Sequence, residues 1–355
     1  MITTGGLGPT SDDLTKPSIA ALFGRRMVLD EEHLAWMRRR WLARWPDRPM
    51  PEANRQQAMI PEGARKLVNH HGSAPGIWLE DERGRWVAML PGVPREMRGM
   101  MADTVLPLLR ERIGKAPTVI ASRMIRTTGI GESALAERLG ELGRGVDGMP
   151  VAFLPGWEGV DLRITSRGLS AADAAAQLDG AETLLREVAG PVVYGSQGDE
   201  LAALVLDMCR ERGLRIATAE SCTGGMLGAL ITKIPGSSDV YVGGIIAYAN
   251  EVKVSQLGVR EATLAEYGAV SEQVAREMAE GAQRALGTSL GVGITGIAGP
   301  GGGSPEKPVG TVWIAVSGIG DTRSTGRVYV GDREEVRQRA TQASLDLIRR
   351  SLGAL

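Results

Sequence analysis

Alternating apolar and polar stretches predict a regular series of strands and helices in residues 196–355. Apolar runs bounded by glycine or polar residues predict strands over residues 214–219, 244–249, 290–294, 311–317 and 326–330. Apolar residues at helical spacing predict helices over residues 199–212, 226–233, 271–286 and 333–352. Because strands alternate with helices, this region predicts a three-layer, mostly parallel α/β domain.

Two further domains are predicted before it. Residues 115–195 predict a small α+β domain, with strands over 118–126, 151–154 and 160–165 and a long helix over 171–188. Residues 1–114 open with the end of a strand at Met1–Thr4 and a glycine turn. Helices over 17–23, 29–45 and 95–112 and a strand over 86–90 follow. The fold class is therefore multidomain α/β.

Composition limits the cellular location and the binding partners that we expect for the protein. The formal net charge of −1 provides no electrostatic footprint for nucleic acid or for an anionic membrane. Two cysteines cannot form a disulfide framework, and the sequence shows neither a signal peptide nor an apolar run of membrane-spanning length. We expect a cytoplasmic protein without nucleic-acid or membrane partners.

The distribution of histidine restricts the chemistry. The three histidines, His33, His70 and His71, all lie in the first fifth of the chain. A Ser-His-Asp triad or a histidine-ligated zinc is therefore excluded in the last domain, unless these early residues reach it. Proton transfer there must use other side chains.

A serine follows the predicted strand 214–219 in the segment Ala219-Glu220-Ser221-Cys222-Thr223-Gly224-Gly225. On such a turn Ser221 is exposed at the sheet edge, beside the free amides of the helix start. These amides suit an oxyanion or a phosphate. The alternative is that Ser221 only caps the helix. Cys222, without a histidine to generate a thiolate, is interpreted as a small packed residue.

Lys253 is a candidate base. The chain prefers arginine, and after Lys115 only Lys233, Lys253 and Lys307 remain. A buried lysine can lose its proton, whereas arginine cannot, and Ser-Lys pairs are an established alternative to Ser-His. Tyr248, five residues earlier, can relay a proton or orient the amine. The alternative is a solvated lysine and a core tyrosine.

A glycine-rich loop at residues 295–303 follows the predicted strand 290–294. So many glycines indicate backbone passing close to a ligand, with amides forming an anion nest; a flexible surface loop is the alternative. Arg333 or Arg337, at the start of the last helix, can clamp a phosphate, although such arginines are more often solvated.

Residues 196–355 resemble the CinA carboxyl-terminal domain, the nicotinamide mononucleotide deamidase family. The matching segments are AESCTGG (219–225), AYANEVK (247–253), GAVSEQVAREMA (268–279), GITGIAGPGGG (293–303), KPVGTVWIAV (307–316) and GDREEVRQRA (331–340). The resemblance implies hydrolysis of nicotinamide mononucleotide to nicotinate mononucleotide and ammonia, with Ser221 as nucleophile and Lys253 and Tyr248 assisting.

The amidase is expected to need no cofactor, to act on a small nucleotide and, by family resemblance, to form a homodimer. The residues expected to hold the substrate, through side chains or backbone, are Glu220, Cys222, Thr223, Gly224, Gly225, Asn250, Thr295, Gly296, Gly299 and Arg333.

The earlier domains resemble those of full-length CinA proteins. TTGGLGPTSDDLT (3–15), GSAPG (72–76) and LPGVPREM (90–97) are similar to the molybdopterin-binding-like domain, and TTGIGES (127–133) is similar to the small middle domain. The first domain of that family is associated with metal-dependent ADP-ribose pyrophosphatase activity. By analogy Asp12 and Asp13 are metal-side carboxylates, although such pairs are more often helix caps.

Family members carry several dozen residues before the TTGG segment, including the first strand and a glycine-bearing loop of that site. Either the natural start lies upstream of Met1 or this domain is shortened, and we expect its site to be inactive in this chain. Two rival functions remain: a metal-dependent pyrophosphatase in the first domain with a vestigial last domain, and a regulatory module that binds a nucleotide or pterin without turnover.

Overall fold

The computed structural model describes residues 1–10, 12–114 and 118–353. The chain divides into two units, residues 1–116 and 117–355. No helix in the described ranges combines the length and the apolar character needed to cross a lipid bilayer.

The first unit contains a four-stranded sheet in the order β1-β6-β5-β4 and a separate two-stranded pair, β2 and β3. Its strands are β1 (Ile2–Thr4), β2 (Met27–Leu29), β3 (Met59–Pro61), β4 (Arg65–Leu67), β5 (Gly76–Glu80) and β6 (Trp86–Leu90). Strand β1 pairs in parallel with β6, and the other neighbours are antiparallel. Of these six strands, the sequence had predicted only β1 and β6.

Strand β6 shows how this sheet is buried on both faces. Val87 and Met89 join the apolar cluster on one face, while Ala88 and Leu90 join the cluster on the other. Successive side chains of a strand alternate between faces, so an unbroken apolar run is typical of a strand covered on both sides.

The helices of this unit are α1 (Thr15–Leu22), α2 (Glu31–Arg44), α3 (Pro94–Met100) and α4 (Leu106–Ile113). The single helix predicted over 95–112 is divided by a π-helical turn at Met101–Val105. Pro107 explains the interruption, because proline has no amide hydrogen and its ring clashes with the carbonyl group four residues earlier.

The second unit begins with the small α+β domain. It contains β7 (Val119–Thr127), α5 (Glu132–Leu139), β8 (Val151–Pro155), β9 (Val160–Leu169), α6 (Ala171–Ala189) and β10 (Val193–Ser196). Its four strands form an antiparallel sheet in the order β10-β7-β9-β8. Helices α5 and α6 pack on it through a common apolar core that includes Leu135, Leu178 and Ile164. Strand β10 was not predicted.

The remaining elements form the last domain: α7 (Leu201–Glu211), β11 (Ile216–Glu220), α8 (Met226–Thr232), β12 (Tyr241–Ile246), α9 (Asn250–Leu257), α10 (Glu261–Tyr267), α11 (Glu272–Leu286), β13 (Leu290–Gly296), β14 (Thr311–Ser317), β15 (Arg323–Val328) and α12 (Arg333–Leu352). The sheet order is β12-β11-β13-β14-β15. Helices α7, α8 and α12 cover one face and α9, α10 and α11 the other, which gives the expected three layers.

Two predictions for this domain need correction. Only β12, β11 and β13 are parallel, whereas β14 and β15 are antiparallel to their neighbours. Loops without a crossover helix join β13, β14 and β15, so each chain segment returns in the opposite direction. Helices α9 and α10 were not predicted, and the strand predicted over 244–249 ends at Ile246, ahead of α9.

Glycines in β13 allow helix α11 to lie directly on the sheet. A Cβ atom on Gly291 would come within 2.0 Å of the Ala279 carbonyl oxygen, and one on Gly293 within 2.2 Å of that of Ala275. Close approach of helix and strand therefore depends on small residues on both elements.

Candidate active site

Ser221 lies at the carboxyl end of β11, where the strand meets the turn to α8. All five residues of β11 are buried, and Ser221 is 8% exposed. Its amide donates to the Ile294 carbonyl oxygen of β13 at 2.9 Å, which extends the strand pairing to the serine. The backbone of Ser221 is thus fixed by the sheet.

The Glu220 carboxylate holds the turn that follows. It accepts hydrogen bonds from the amides of Gly225 at 3.0 Å, Leu227 at 3.0 Å and Gly228 at 2.9 Å, and the residue is 2% exposed. These are the unpaired donors at the start of α8, where negative charge is favourable. Glu220, predicted to hold substrate, instead directs its carboxylate into the protein.

These contacts limit which backbone amides at the start of α8 can act as the predicted oxyanion donors. The Gly225 amide is bonded to Glu220, and the Gly224 amide donates to the Ser221 carbonyl oxygen at 3.0 Å. Within the described ranges the amides of Cys222 and Thr223 donate to no oxygen atom. They lie near the Cys222 sulfur, which is a weak acceptor. Of the four amides from Cys222 to Gly225, two therefore donate to protein oxygen atoms and two lie against the Cys222 sulfur.

Cys222 itself is not suited to be a nucleophile. It is 6% exposed, and burial raises the pKa of its thiol to about 12. The thiolate is the reactive form of cysteine, and it is disfavoured in this position. The sequence interpretation of Cys222 as a packed residue agrees with its position in the apolar core.

Lys253 is buried in helix α9. It is 2% exposed, and its Nζ atom donates to the Tyr248 carbonyl oxygen at 3.2 Å. Desolvation lowers the pKa of Lys253, while the negative charge of the Glu251 carboxylate partly opposes that effect. The alternative of a solvated surface lysine is wrong.

Strand pairing brings this amine to the same sheet edge as the serine. Glu220 of β11 pairs with Ile246 of the parallel strand β12, and the Ala247 amide donates to the Glu220 carbonyl oxygen at 2.8 Å. Neighbouring strands are about 4.8 Å apart. Tyr248, whose carbonyl group holds Lys253, is therefore two residues past the partner of Glu220, next to the Ser221 turn.

The Tyr248 hydroxyl group contacts Arg333. The residue is 61% exposed, so the core-tyrosine alternative is wrong. The Nη2 atom of Arg333 lies 3.0 Å from the Tyr248 hydroxyl oxygen, and its Nη1 atom donates to the Gly299 carbonyl oxygen at 2.7 Å. Arg333 thus connects the start of α12 to both the tyrosine and the glycine loop.

The other predicted substrate residues are distributed along this edge. Thr295 is 1% exposed and donates its hydroxyl hydrogen to the Ala269 carbonyl oxygen at 2.7 Å. Gly296 lies against Thr311 and Val312 of β14, leaving no room for a side chain. Asn250 is exposed in the first turn of α9. Arg337, the alternative to Arg333 as a phosphate ligand, donates to the Thr223 carbonyl oxygen at 2.9 Å.

The acidic pair of the first unit forms a turn. Oδ2 of Asp13 accepts hydrogen bonds from the amide and the hydroxyl group of Thr10, which lower the pKa of Asp13. Asp12 is exposed. Within residues 1–10, 12–114 and 118–353, no three His, Cys, Asp or Glu side chains are grouped so that they could hold a metal ion. These two carboxylates alone do not fit a divalent cation, which takes about six oxygen ligands.

The fold and the site define a multidomain α/β protein whose last domain presents a serine and a buried lysine at one sheet edge. Three family models match the chain in order. They are "Probable molybdopterin binding domain" over residues 1–111, "Damage-inducible protein CinA KH domain" over residues 122–195 and "CinA C-terminal domain" over residues 198–352.

The chain belongs to the CinA family. It is 61% identical over 351 residues to the CinA-like protein of Gemmatimonas aurantiaca, a match that covers 99% of this chain and 82% of that protein. It is 43% identical over 355 residues to the CinA-like protein of Gloeobacter violaceus, with 99% and 82% covered. Among solved structures, the chain is similar to the crystal structure of the competence/damage inducible protein CihA from Agrobacterium tumefaciens, with 40% sequence identity. The match covers 42% of this chain and 93% of that chain, with a TM-score of 0.42.

Proposed function

We propose that the last domain hydrolyses nicotinamide mononucleotide to nicotinate mononucleotide and ammonia. The observation that carries the chemistry is the buried Lys253 amine, held by the Tyr248 carbonyl group at the same sheet edge as Ser221. The choice of substrate rests on the family resemblance of the segments that contain these residues.

In the proposed first step, the neutral Lys253 amine takes the Ser221 proton while the serine oxygen forms a bond to the carboxamide carbon. The amides of Cys222 and Thr223 donate to the oxyanion that develops on the carboxamide oxygen. One such donor is worth about 3 kcal/mol of transition-state stabilisation. Lysine is suited to this role because burial favours its uncharged form.

In the second step, the Lys253 ammonium returns its proton to the leaving nitrogen, the carbon–nitrogen bond breaks and ammonia departs. Water then attacks the acyl-enzyme, releasing nicotinate mononucleotide and restoring the Ser221 hydroxyl group. Arg333 and Tyr248 position the glycine loop, and the exposed Tyr248 ring borders the substrate. The reaction as written requires neither a metal nor an organic cofactor.

The test is ammonia release from nicotinamide mononucleotide by the full chain and by Ser221→Ala and Lys253→Ala. We expect both variants to lose at least about a hundredfold in kcat, the lower range for a missing general base. Lys233→Ala is the matched control, because Lys233 is exposed and paired with Glu200 at 3.0 Å. It should retain wild-type activity.

Two results would reject the proposal in different ways. Activity that persists in both variants would remove the assigned roles. Binding of the nucleotide without ammonia release by the wild type would favour the regulatory module. We also infer that the protein is cytoplasmic and forms a homodimer. Sedimentation at several protein concentrations tests the oligomeric state.

A further inference from the structure

Arg337 of helix α12 contacts the turn that follows Ser221. Its Nη2 atom donates to the Thr223 carbonyl oxygen at 2.9 Å, and a Cβ atom on Gly224 would lie 3.7 Å from the same nitrogen. Its Nη1 atom donates to the Glu334 carboxylate of its own helix at 2.9 Å. The Arg337 side chain is 26% exposed, so the guanidinium group is half-buried between the turn and α12.

The peptide unit between Thr223 and Gly224 is held at both of its ends. Its N–H group, on Gly224, donates to the Ser221 carbonyl oxygen at 3.0 Å, and its carbonyl group, on Thr223, accepts from Arg337. The Met226 amide, at 3.3 Å, is the other donor to that carbonyl oxygen among the described residues. A hydrogen bond from a charged donor is about twice as strong as one between neutral groups. Arg337 therefore provides the stronger contact at the carbonyl end.

This peptide unit restrains the direction of the Thr223 amide, which the proposed mechanism uses as an oxyanion donor. Adjacent planar peptide units are joined by only two soft dihedral angles, so fixing one unit restrains the unit before it. The turn needs such a restraint, because Gly224 and Gly225 adopt φ of +60° and +96° and glycine changes backbone conformation at little cost. The Glu220 carboxylate binds amides from Gly225 onward, which leaves the preceding peptide unit to Arg337.

The same contacts make Arg337 a poor phosphate ligand. Its two terminal nitrogen atoms already bind Glu334 and Thr223, and the Glu334 carboxylate would repel a phosphate group. Arg333, one helical turn earlier, is bonded to a neutral carbonyl group and a neutral hydroxyl group. Of the two arginines that the sequence offered for a phosphate, Arg333 is therefore the better suited.

We propose that Arg337 is a positioning residue. It orients the Thr223 amide toward the oxyanion by holding the Thr223 carbonyl group, and it does not touch the substrate. The effect on catalysis rests on the proposed amidase function. The contact between Arg337 and the turn does not, so the two can be tested separately.

The first experiment measures ammonia release from nicotinamide mononucleotide by the full chain and by Arg337→Gln and Arg337→Lys. Arg337→Gln should lower kcat by at least about tenfold and leave KM unchanged, because a displacement of about 1 Å near the reacting atoms can cost about a hundredfold. Arg337→Lys keeps a charged donor and should recover part of the lost kcat. Arg339→Gln is the matched control and should retain the wild-type kcat. Arg339 also donates to a carbonyl oxygen, that of Val330, which is not part of the turn.

The second experiment needs no amidase activity. It follows the alkylation of the two cysteines by iodoacetamide at pH 8 in the folded protein, with Tm measured for each variant. Cys222 belongs to the turn and Cys209 to α7, and both are buried. Arg337→Gln should raise the alkylation rate of Cys222 by about tenfold, as expected for local opening after the loss of one charge-assisted contact. It should leave the rate for Cys209 unchanged, with Tm close to that of Arg339→Gln.

Several results would overturn the proposal. A raised KM with unchanged kcat would make Arg337 a substrate ligand, and equal losses of kcat in Arg337→Gln and Arg339→Gln would make the effect nonspecific. Unchanged alkylation of Cys222, or faster alkylation of both cysteines together with a lower Tm, would show that Arg337 does not hold the turn specifically. A wild-type protein that releases no ammonia would reject the proposed function, and the alkylation of Cys222 would then decide alone whether Arg337 holds the turn.

Discussion

Replacing Lys253 by methionine should change how the stability of this protein depends on pH. The lysine is 2% exposed, and among the residues that the structure describes its ammonium group makes one hydrogen bond, to a neutral carbonyl oxygen. Burial lowers its pKa below the ordinary value of 10.5, so the folded protein releases this proton at a lower pH than the unfolded chain does. Methionine fills a similar volume without a charge.

The sign of the effect follows from proton binding. Between the folded pKa and 10.5 the unfolded state binds more protons than the folded state, so the free energy of unfolding rises with pH in this window. Below the folded pKa the cost of the buried charge is fully present, at about 1.4 kcal/mol for every unit by which the pKa is lowered. The Lys253→Met variant avoids this cost and is stabilised at low pH. Loss of the hydrogen bond to Tyr248 offsets about 1 kcal/mol of that stabilisation at every pH.

Urea unfolding from pH 7 to pH 10.5 measures the difference directly. We expect the free energy of unfolding of the wild type, minus that of Lys253→Met, to increase as the pH rises. Lys233→Met is the control, because the Lys233 side chain is 62% exposed. A difference between wild type and Lys253→Met that is the same at every pH would refute the argument that the buried ammonium group is costly.

Three further predictions concern the frame of the site. Glu220→Gln removes a charge from three amide contacts and should lower the free energy of unfolding by about 1–3 kcal/mol in urea titrations and lower kcat, whereas unchanged values would mean that the turn is held otherwise. Cys222, buried with a pKa of about 12, should resist iodoacetamide at pH 8 in the folded protein, and fast alkylation would contradict its placement. Gly293→Ala forces a Cβ atom to within 2.2 Å of the Ala275 carbonyl oxygen and should cost at least about 1–3 kcal/mol, compared with little for Gly301→Ala, where no atom lies within 4 Å; equal costs would contradict the close packing of α11.

Local sequence patterns predicted the elements that carry the strongest periodicity. Strands β6 and β14 and helix α12 have the predicted bounds, because long apolar or amphipathic runs and a clear start at Asp332 define them. Short strands such as β2, β3 and β4 have three residues each, too few for a periodic signal. The direction of β14 and β15 depends on how their loops return, which periodicity does not encode.

The sequence identified the residues of the candidate site better than it identified the contacts that these residues make. The order of Ser221, Tyr248 and Lys253 along the chain indicated one sheet edge, and burial of Lys253 follows the expectation of a desolvated amine. The sequence did not show that Glu220 would occupy the helix-start amides, because this contact depends on the turn geometry. It also did not show that Arg333 would lie against Tyr248, 85 residues away along the chain.

The most direct test of the account is a double-mutant cycle on kcat/KM for ammonia release from nicotinamide mononucleotide. It compares the wild type, Ser221→Ala, Lys253→Ala and the double variant. If the hydroxyl group and the amine act as one unit, the double variant should be no slower than Ser221→Ala alone. Losses that multiply in the double variant would show that the two residues act independently, and would contradict the proposed proton transfer between them.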